Sequence, residues 1–446
     1  MDDKRLNLIS IYNFVTALIF IELVLGGLGH LCGYPIRKVL FIIGIVFSLY
    51  VIYKEKIKIS INFIIPIIIV GIYVVYGSII GIINGNSFSD IFADANSFLG
   101  IIYLILLVAY VKESNKNINK IFNFFVNCSV IVALLTIGLF FFSRIYLPGN
   151  IEIINKYNEI NGKLQYGLIS GLVLSNNYAR VYLFNGIFMQ LGVAILVIRL
   201  LKNINNKIVN TIKISILLIG IYVSNTRGFW IGTIGVFILG AMYYFYRMRK
   251  YKLTIKNLII PIVVLIIVGT IIPKTIVRNN GSVNVPNATE SVKDRVESIV
   301  DFKNDISNKV RAIQLKFLLE KSKEKLILGW GFGAHIYEYP EYLVENGHHR
   351  VDSSNFELYY VELLFKTGIV GIGIFFGYLI FNFIKVIKLI FIKSINEEEE
   401  RNLVAWTIGT ISILISSITN PYIASLSVFF ILVMEVYLIQ IYDKIN

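Results

Sequence analysis

Residues 329–368 read GWGFGAHIYEYPEYLVENGHHRVDSSNFELYYVELLFKTG, and they lie within a long segment, 273–371, that differs from the rest of the chain. This segment is rich in polar and charged residues. The sequence on either side consists of apolar stretches of about 20 residues, the length of a membrane-spanning helix. Long loops between spans are uncommon and usually functional. We therefore expect the chemistry of this protein to occur in this segment.

The composition predicts an all-α polytopic membrane protein. The chain has 446 residues, of which 56% are apolar, and its mean hydropathy is +0.72. Hydropathy predicts about twelve transmembrane helices. We divide the chain into membrane helices 1–9 (residues 1–273), a large extracytoplasmic loop of amphipathic helices between spans 9 and 10 (274–366), and membrane helices 10–12 (367–446).

The distribution of basic residues predicts the orientation in the membrane. Lysines and arginines concentrate in alternate loops, on the same side as Lys4 and Arg5. Under the positive-inside rule, this side is the cytoplasm, so both termini are predicted to be cytoplasmic in a plasma-membrane protein. The net charge of +14 then suits lipid headgroups of the bilayer, and no nucleic-acid partner is predicted.

Three arginines lie at the predicted outer ends of spans, where short loops normally avoid them. Arg37 opens the second predicted span, Arg180 the sixth and Arg227 the eighth. A guanidinium binds phosphate or diphosphate oxygens in pairs and stays charged at any relevant pH. A single arginine at this depth is also a common lipid anchor. For Arg180 and Arg227 together we favour an anionic substrate, with Arg37 as a further substrate-binding residue.

Two further groups extend this substrate-binding set. Trp230 follows Arg227 closely and offers an aromatic surface, suited either to a sugar or to the membrane interface. After Ser307, apolar residues recur at helical spacing among many lysines, which predicts a basic amphipathic helix suited to the interface. Arg311 lies on this helix and is a third candidate for contact with the substrate.

The polar run that follows supplies the candidate proton acceptors. Glu357 is a candidate general base; with Ser354 it also forms the pattern of a capping box at a helix starting near Ser354. His349 is a second candidate base, or a solvated side chain. We predict no metal and no cofactor, because metal-ligand spacings are missing. The glycine run 329–333 lacks the ending of a phosphate loop and indicates a close-packed turn.

Several motifs, in order along most of the chain, resemble those of the O-antigen ligase and polymerase superfamily. They are GG (26–27), IR (36–37), NTRGFW (225–230), Arg311, LILGWGFG (326–333), ELLFKTGIVG (362–371) and NP (420–421). Many ligases of this family carry a His-Asn pair eleven residues before the glycine that corresponds to Gly368. Here that position is Glu357, followed by Leu358, which is a departure from the ligase pattern.

The resemblance implies a fold similar to membrane-embedded GT-C-like glycosyltransferases and a metal-independent, inverting transfer of glycan from undecaprenyl diphosphate to an acceptor hydroxyl. Arg180 and Arg227 would hold the diphosphate. The Ile-, Asn- and Lys-rich composition is typical of AT-rich genomes and suggests a Gram-positive source without lipopolysaccharide. Such a source favours a capsule or exopolysaccharide polymerase. Its partners would be the lipid-linked donor and acceptor, with other polysaccharide-assembly membrane proteins as candidates.

Two alternatives remain open at this point. One is a ligase that passes the glycan to a different acceptor. The other is a transporter or flippase of lipid-linked glycan, in which the intramembrane carboxylates Glu22 and Glu435 would relay protons. A transporter should carry its essential charges at mid-depth, whereas an outer-face transferase should carry them at the interface.

Overall fold

In a computed structural model, the part of the chain that is described is predominantly helical, with one small β-hairpin. The structure describes residues 3–27, 29–32, 34–110, 118–146, 159, 171–175, 178–201, 206–247, 259–261, 263, 306–347, 351–354, 356–393 and 395–444. His349, most of the predicted ninth span (257–273) and the first part of the predicted outer loop (274–305) lie outside the described residues.

The described helices are α1 (Asp3–Leu25), α2 (Ile36–Lys54), α3 (Ile61–Ile83), α4 (Phe88–Asn96), α5 (Tyr103–Tyr110), α6 (Ile118–Tyr146), α7 (Phe188–Leu201), α8 (Lys207–Val223), α9 (Arg227–Arg247), α10 (Ile306–Glu324), α11 (Glu338–Glu345), α12 (Tyr359–Phe391), α13 (Glu397–Ser416) and α14 (Leu426–Lys444). Three short 3-10 helices are Phe98–Ile102, Phe184–Ile187 and Tyr422–Ala424. The hairpin consists of β1 (Gly171–Ser175) and β2 (Tyr178–Tyr182).

Many helices are suited to cross a bilayer. Within the described residues, 7 helical segments are long and apolar enough, and up to 8 if the bent pair Phe88–Asn96 and Phe98–Ala109, which meet at 46°, forms one span. The predicted multi-pass membrane protein is therefore confirmed. The number of about twelve spans remains a prediction.

The chain forms two compact units, each built from separate stretches of sequence. The first comprises Met1–Ile57, Ala109–Glu297 and Val404–Ser412, and the second comprises Lys58–Val108, Ser298–Leu403 and Ile413–Asn446. In the first unit, α6, α7 and α8 pack against one another, and α7 is buried along almost its whole length. A helix that is apolar all round is expected at such a central position.

In the second unit, α12 packs against α3, α10 and α14. Helices α10 and α11 enclose a separate apolar cluster that includes Leu318, Tyr339 and Phe356. The amphipathic pattern predicted after Ser307 is therefore confirmed, and Ile313 and Phe317 on its apolar face pack against this cluster. Burial raises the pKa of Tyr339 to about 12. The segment thus has a core of its own.

The predicted start of the sixth span is wrong. Arg180 lies on β2, where its backbone is paired with Val173 of β1, and α7 begins only at Phe188. The sequence of β2, Tyr-Ala-Arg-Val-Tyr, is rich in aromatic and β-branched residues that favour strands. A hydropathy window cannot separate such a short apolar strand from the helix after it. Apart from this hairpin, the regular elements of the described residues are helices, as the all-α prediction expects.

The helix predicted to start near Ser354 starts later, and the capping box is absent. Helix α12 begins at Tyr359, and Leu358 at its N-cap makes no side-chain capping bond. The amide oxygen of Gln314, on α10, instead accepts hydrogen bonds from the backbone N–H groups of Glu357 (3.0 Å) and Leu358 (3.1 Å). The cap comes from a distant helix, so local sequence could not reveal it.

Helix α12 changes direction at Gly368, whose backbone is non-helical with φ +61° and ψ −169°. A Cβ at this position would lie 2.3 Å from the carbonyl oxygen of Ile327 and 2.6 Å from the nitrogen of Gly329. Backbone and not a flexible side chain occupies this space. Only glycine therefore fits the turn without a shift of the neighbouring chain.

We predict that Gly368→Ala lowers the free energy of unfolding by roughly 1–3 kcal/mol, because the residue combines a left-handed backbone with a backbone clash. Gly373→Ala on the same helix is the matched control, since a Cβ there meets nothing within 4 Å. Thermal unfolding in detergent, followed by intrinsic fluorescence, provides the comparison. Equal melting temperatures for the two variants would contradict this account of the turn.

Candidate functional site

The glycine run forms a turn that packs directly on the backbone of α3. Gly329, Gly331 and Gly333 all have positive φ, at 76°, 83° and 77°. A Cβ on Gly331 would lie 2.0 Å from the nitrogen of Gly81, so α3 and the turn are in backbone contact. Residues 329–333, here called the glycine turn, are thus the close-packed turn that the sequence indicated.

Asp94 of α4 joins the glycine turn to α12. One carboxylate oxygen accepts a hydrogen bond from the N–H of Gly333 at 2.6 Å, and the other accepts one from the ammonium of Lys366 at 2.8 Å. Lys366 also donates to Glu362 at 2.6 Å and to the carbonyl of Ser354 at 3.2 Å. Because its side chain is only 3% exposed, Lys366 depends on these oxygens to remain charged.

His335 follows the glycine turn and lies between two polar groups. Its Nδ1 is 2.8 Å from the Oγ of Ser353, and its Nε2 is 3.1 Å from the Oδ2 of Asp90. The same oxygen of Asp90 accepts a hydrogen bond from Ser87 at 2.6 Å. The ring of Tyr337 stacks on the imidazole at 5.2 Å, with 5° between the planes. These groups form a serine–histidine–aspartate array beside an aromatic ring.

Sequence reasoning missed this array. Nothing in the sequence singled out Asp90, His335 or Ser353 as site residues. The available signal was the spacing of Asp90 and Asp94: residues i and i+4 share one face of a helix, so both point to the same side of α4. The residues that they meet are far away in the sequence, since Asp90 and His335 are 245 positions apart.

Arg311 and Glu357, both predicted site residues, form an ion pair. The Nε of Arg311 is 2.6 Å from the Oε2 of Glu357, and the two side chains are 19% and 51% exposed. The contact is an ion pair without hydrogen-bond geometry, since the Nε of Arg311 has no aligned acceptor among the described residues. Glu357 is therefore engaged with a cation, and its side chain does not cap α12.

The predicted arginine sites of the first unit lie in different settings. Arg37 forms an ion pair with Glu22, since its Nε is 2.9 Å from both carboxylate oxygens. Its guanidinium also donates to the carbonyl of Gly27 at 2.8 Å. The sequence led us to expect an anionic substrate group next to Arg37. In the structure the anion next to Arg37 is the carboxylate of Glu22. Glu22, proposed above as a proton relay, is the anion of that pair.

Arg227 is the first residue of α9 and is half-buried. The turn before it contains Asn225, which has φ +53°. Trp230 donates from its indole N–H to the carbonyl of Ile221 at 3.1 Å, and its ring stacks on Tyr222 at 6.4 Å. This turn fixes the start of α9, and with it the backbone position of Arg227. The side chain of Arg180 lies outside the described residues.

The predicted site residues thus fall in both units. Arg37, Arg180, Arg227 and Trp230 belong to the first unit, and Arg311 and Glu357 belong to the second. Among the described residues, no group of three or more His, Cys, Asp or Glu side chains could hold a metal ion.

Residues 213–376 match the family model described as O-antigen ligase. This segment is therefore similar to the O-antigen ligase family. The match includes Arg227, Arg311, the glycine turn, the serine–histidine–aspartate array except Asp90, and the first part of α12. The resemblance to the ligase and polymerase superfamily is therefore confirmed. No curated protein sequence matches the chain significantly. The family indicates a membrane enzyme of the glycosyltransferase type that acts on lipid-linked glycans.

The buried ion triad gives a prediction about stability. Lys366→Met leaves Asp94 and Glu362 without their shared cation, and removing one partner of a buried ion pair typically costs about 3–5 kcal/mol. Lys316→Met, on the exposed face of α10, is the control and should change stability by less than about 0.5 kcal/mol. Thermal unfolding in detergent measures both.

Adding Glu362→Gln to Lys366→Met removes one of the two stranded charges and should restore part of the lost stability. A double variant less stable than Lys366→Met alone would show that charge imbalance is not the cause of the loss.

Proposed function

We propose that this chain is a membrane glycosyltransferase that polymerises glycan units carried on undecaprenyl diphosphate at the outer face of the plasma membrane. The observation that carries the proposal is the match of residues 213–376 to the O-antigen ligase family. The folded polar segment around the glycine turn supports it, because it supplies ionisable groups next to membrane-spanning helices.

The reaction is a single displacement with inversion. A hydroxyl oxygen of the acceptor sugar attacks the anomeric carbon of the donor, and the bond from that carbon to the diphosphate breaks. The diphosphate leaves with the electron pair, while the hydroxyl proton passes to a base. Charge therefore builds up on the diphosphate, and fixed cations stabilise it. We assign this role to Arg227 and Arg180, without a metal ion.

Arg311 and Glu357 have a supporting role in this proposal. The sequence left the base open between Glu357 and His349. The carboxylate of Glu357 is 2.6 Å from the guanidinium of Arg311, which favours a part in holding Arg311 towards the donor or acceptor. A base role for Glu357 stays a hypothesis, and the variant below tests it.

The test uses the cell's own substrate. Deleting the gene for this chain in its source cells should cause a lipid-linked glycan to accumulate. This material, extracted and given to the purified chain in nanodiscs with EDTA, should be converted into a ladder of longer products. Glycan that appears on a different acceptor, without a ladder, would indicate a ligase. Transport across a vesicle membrane without a new glycosidic bond would contradict the proposal and indicate a flippase.

Arg227→Ala should lower kcat about 100-fold or more, since loss of one group that stabilises transition-state charge costs about 10²–10³ in rate. The matched control is Arg199→Ala, which removes an arginine from the last turn of α7, where it bonds Asn123. Control and wild type should produce the same ladder. Equal rates for Arg227→Ala and Arg199→Ala would remove Arg227 from the site.

Glu357→Gln distinguishes the two roles of that residue in the same assay. A partly exposed ion pair contributes roughly 0–1 kcal/mol, so a positioning role predicts a loss of less than about tenfold. A general base contributes about 10²–10⁴ in rate. A loss within that larger range would restore Glu357 as the base.

A further inference from the structure

The serine–histidine–aspartate array has a defined arrangement of protons. Asp90 is 42% exposed, and an exposed aspartate is ionised near neutral pH, so its oxygen can only accept. The Nε2 of His335 must therefore carry a proton and donate it to Asp90. In a neutral imidazole the other nitrogen then has a lone pair. The Nδ1 of His335 accordingly accepts a hydrogen bond from the hydroxyl of Ser353.

This arrangement leaves Ser353 able to accept a proton. Its hydroxyl hydrogen is directed at His335, so lone pairs on its oxygen remain for an incoming donor. If an outside hydroxyl gives its proton to Ser353, the serine's own proton moves to the Nδ1 of His335. The resulting imidazolium lies against the carboxylate of Asp90, which stabilises the positive charge.

Tyr337 adds a binding surface next to the array. Its side chain is 67% exposed, although a large aromatic ring normally buries most of its area. One face of the ring is covered by the imidazole of His335 at 5.2 Å. Exposed aromatic rings beside carboxylates and hydroxyls suit the apolar face and the hydroxyl groups of a sugar. The ring thus provides a stacking surface close to the proton acceptor.

We propose that Tyr337, Ser353, His335 and Asp90 form the acceptor-sugar site, in which the attacking hydroxyl passes its proton through Ser353 to His335. This inference rests on the proposed glycosyl transfer. In the step, the O–H bond of the sugar breaks, its oxygen bonds to the anomeric carbon of the donor, and the diphosphate leaves with its electron pair. Ser353 ends with a hydroxyl group, and His335 ends doubly protonated beside Asp90.

The test measures kcat and KM for elongation of the extracted lipid-linked glycan by the purified chain. Ser353→Ala, His335→Gln and Asp90→Asn should each lower kcat about 100-fold or more, the range of general-base catalysis. Ser353→Thr keeps a hydroxyl and should stay within about tenfold of wild type. Tyr337→Ala should chiefly raise KM for the acceptor, since it removes binding surface and no proton acceptor.

Non-additivity separates this relay from a structural role. Ser353→Ala combined with His335→Gln should be no slower than the slower single variant, because groups that act as one unit are lost together. Glu345→Gln, an exposed carboxylate on α11, is the control and should match wild type. Melting temperatures of all variants should stay close to that of wild type.

The outcomes separate the two proposals. If wild type elongates the glycan and the folded Ser353, His335 and Asp90 variants remain within about threefold of it, the relay is wrong and the transferase stands. If wild type forms no glycosidic bond from the extracted glycan, the transferase is wrong and the relay is lost with it. Losses that multiply in the double variant would also overturn the relay.

Discussion

The carboxylate of Asp94 is the contact on which the segment around the glycine turn depends. It accepts a hydrogen bond from the backbone of Gly333 and another from the buried ammonium of Lys366, so a single side chain on α4 holds both the glycine turn and the start of α12. Asp90, one turn earlier on the same helix, meets His335. Helix α4 therefore positions the backbone of the turn with one aspartate and a titratable side chain with the other.

These contacts around Asp94 cost folding free energy, and they restrict the conformation of the backbone. A buried ammonium must be matched by anions, and three glycines at positive φ lose more conformational freedom on folding than other residues would. In return, hydrogen bonds to α3, α4 and α12 hold the segment between residues 329 and 337 at several points. Catalytic groups work best when surrounding contacts hold them in place. The stability given up here is consistent with a segment selected for position.

The parts of this architecture that depend on local sequence were predictable. The apolar stretches identified a membrane protein, the spacing after Ser307 identified α10, and the glycines identified a tight turn. Contacts between distant residues were not predictable in this way. The cap of α12 comes from Gln314, the partner of Arg37 is Glu22, and His335 meets Asp90 only after folding. The hairpin around Arg180 was missed because its strands are short and apolar.

The proposed transfer requires a single orientation of the segment that carries the array, towards the outside of the cell. This orientation can be measured with single cysteines in a chain whose Cys32 and Cys128 have been replaced. Glu345→Cys lies exposed on α11, and Glu398→Cys lies exposed near the start of α13, which is predicted to be cytoplasmic. In intact cells a membrane-impermeant maleimide should label Glu345→Cys at once and Glu398→Cys only after permeabilisation. The reverse pattern would contradict the account.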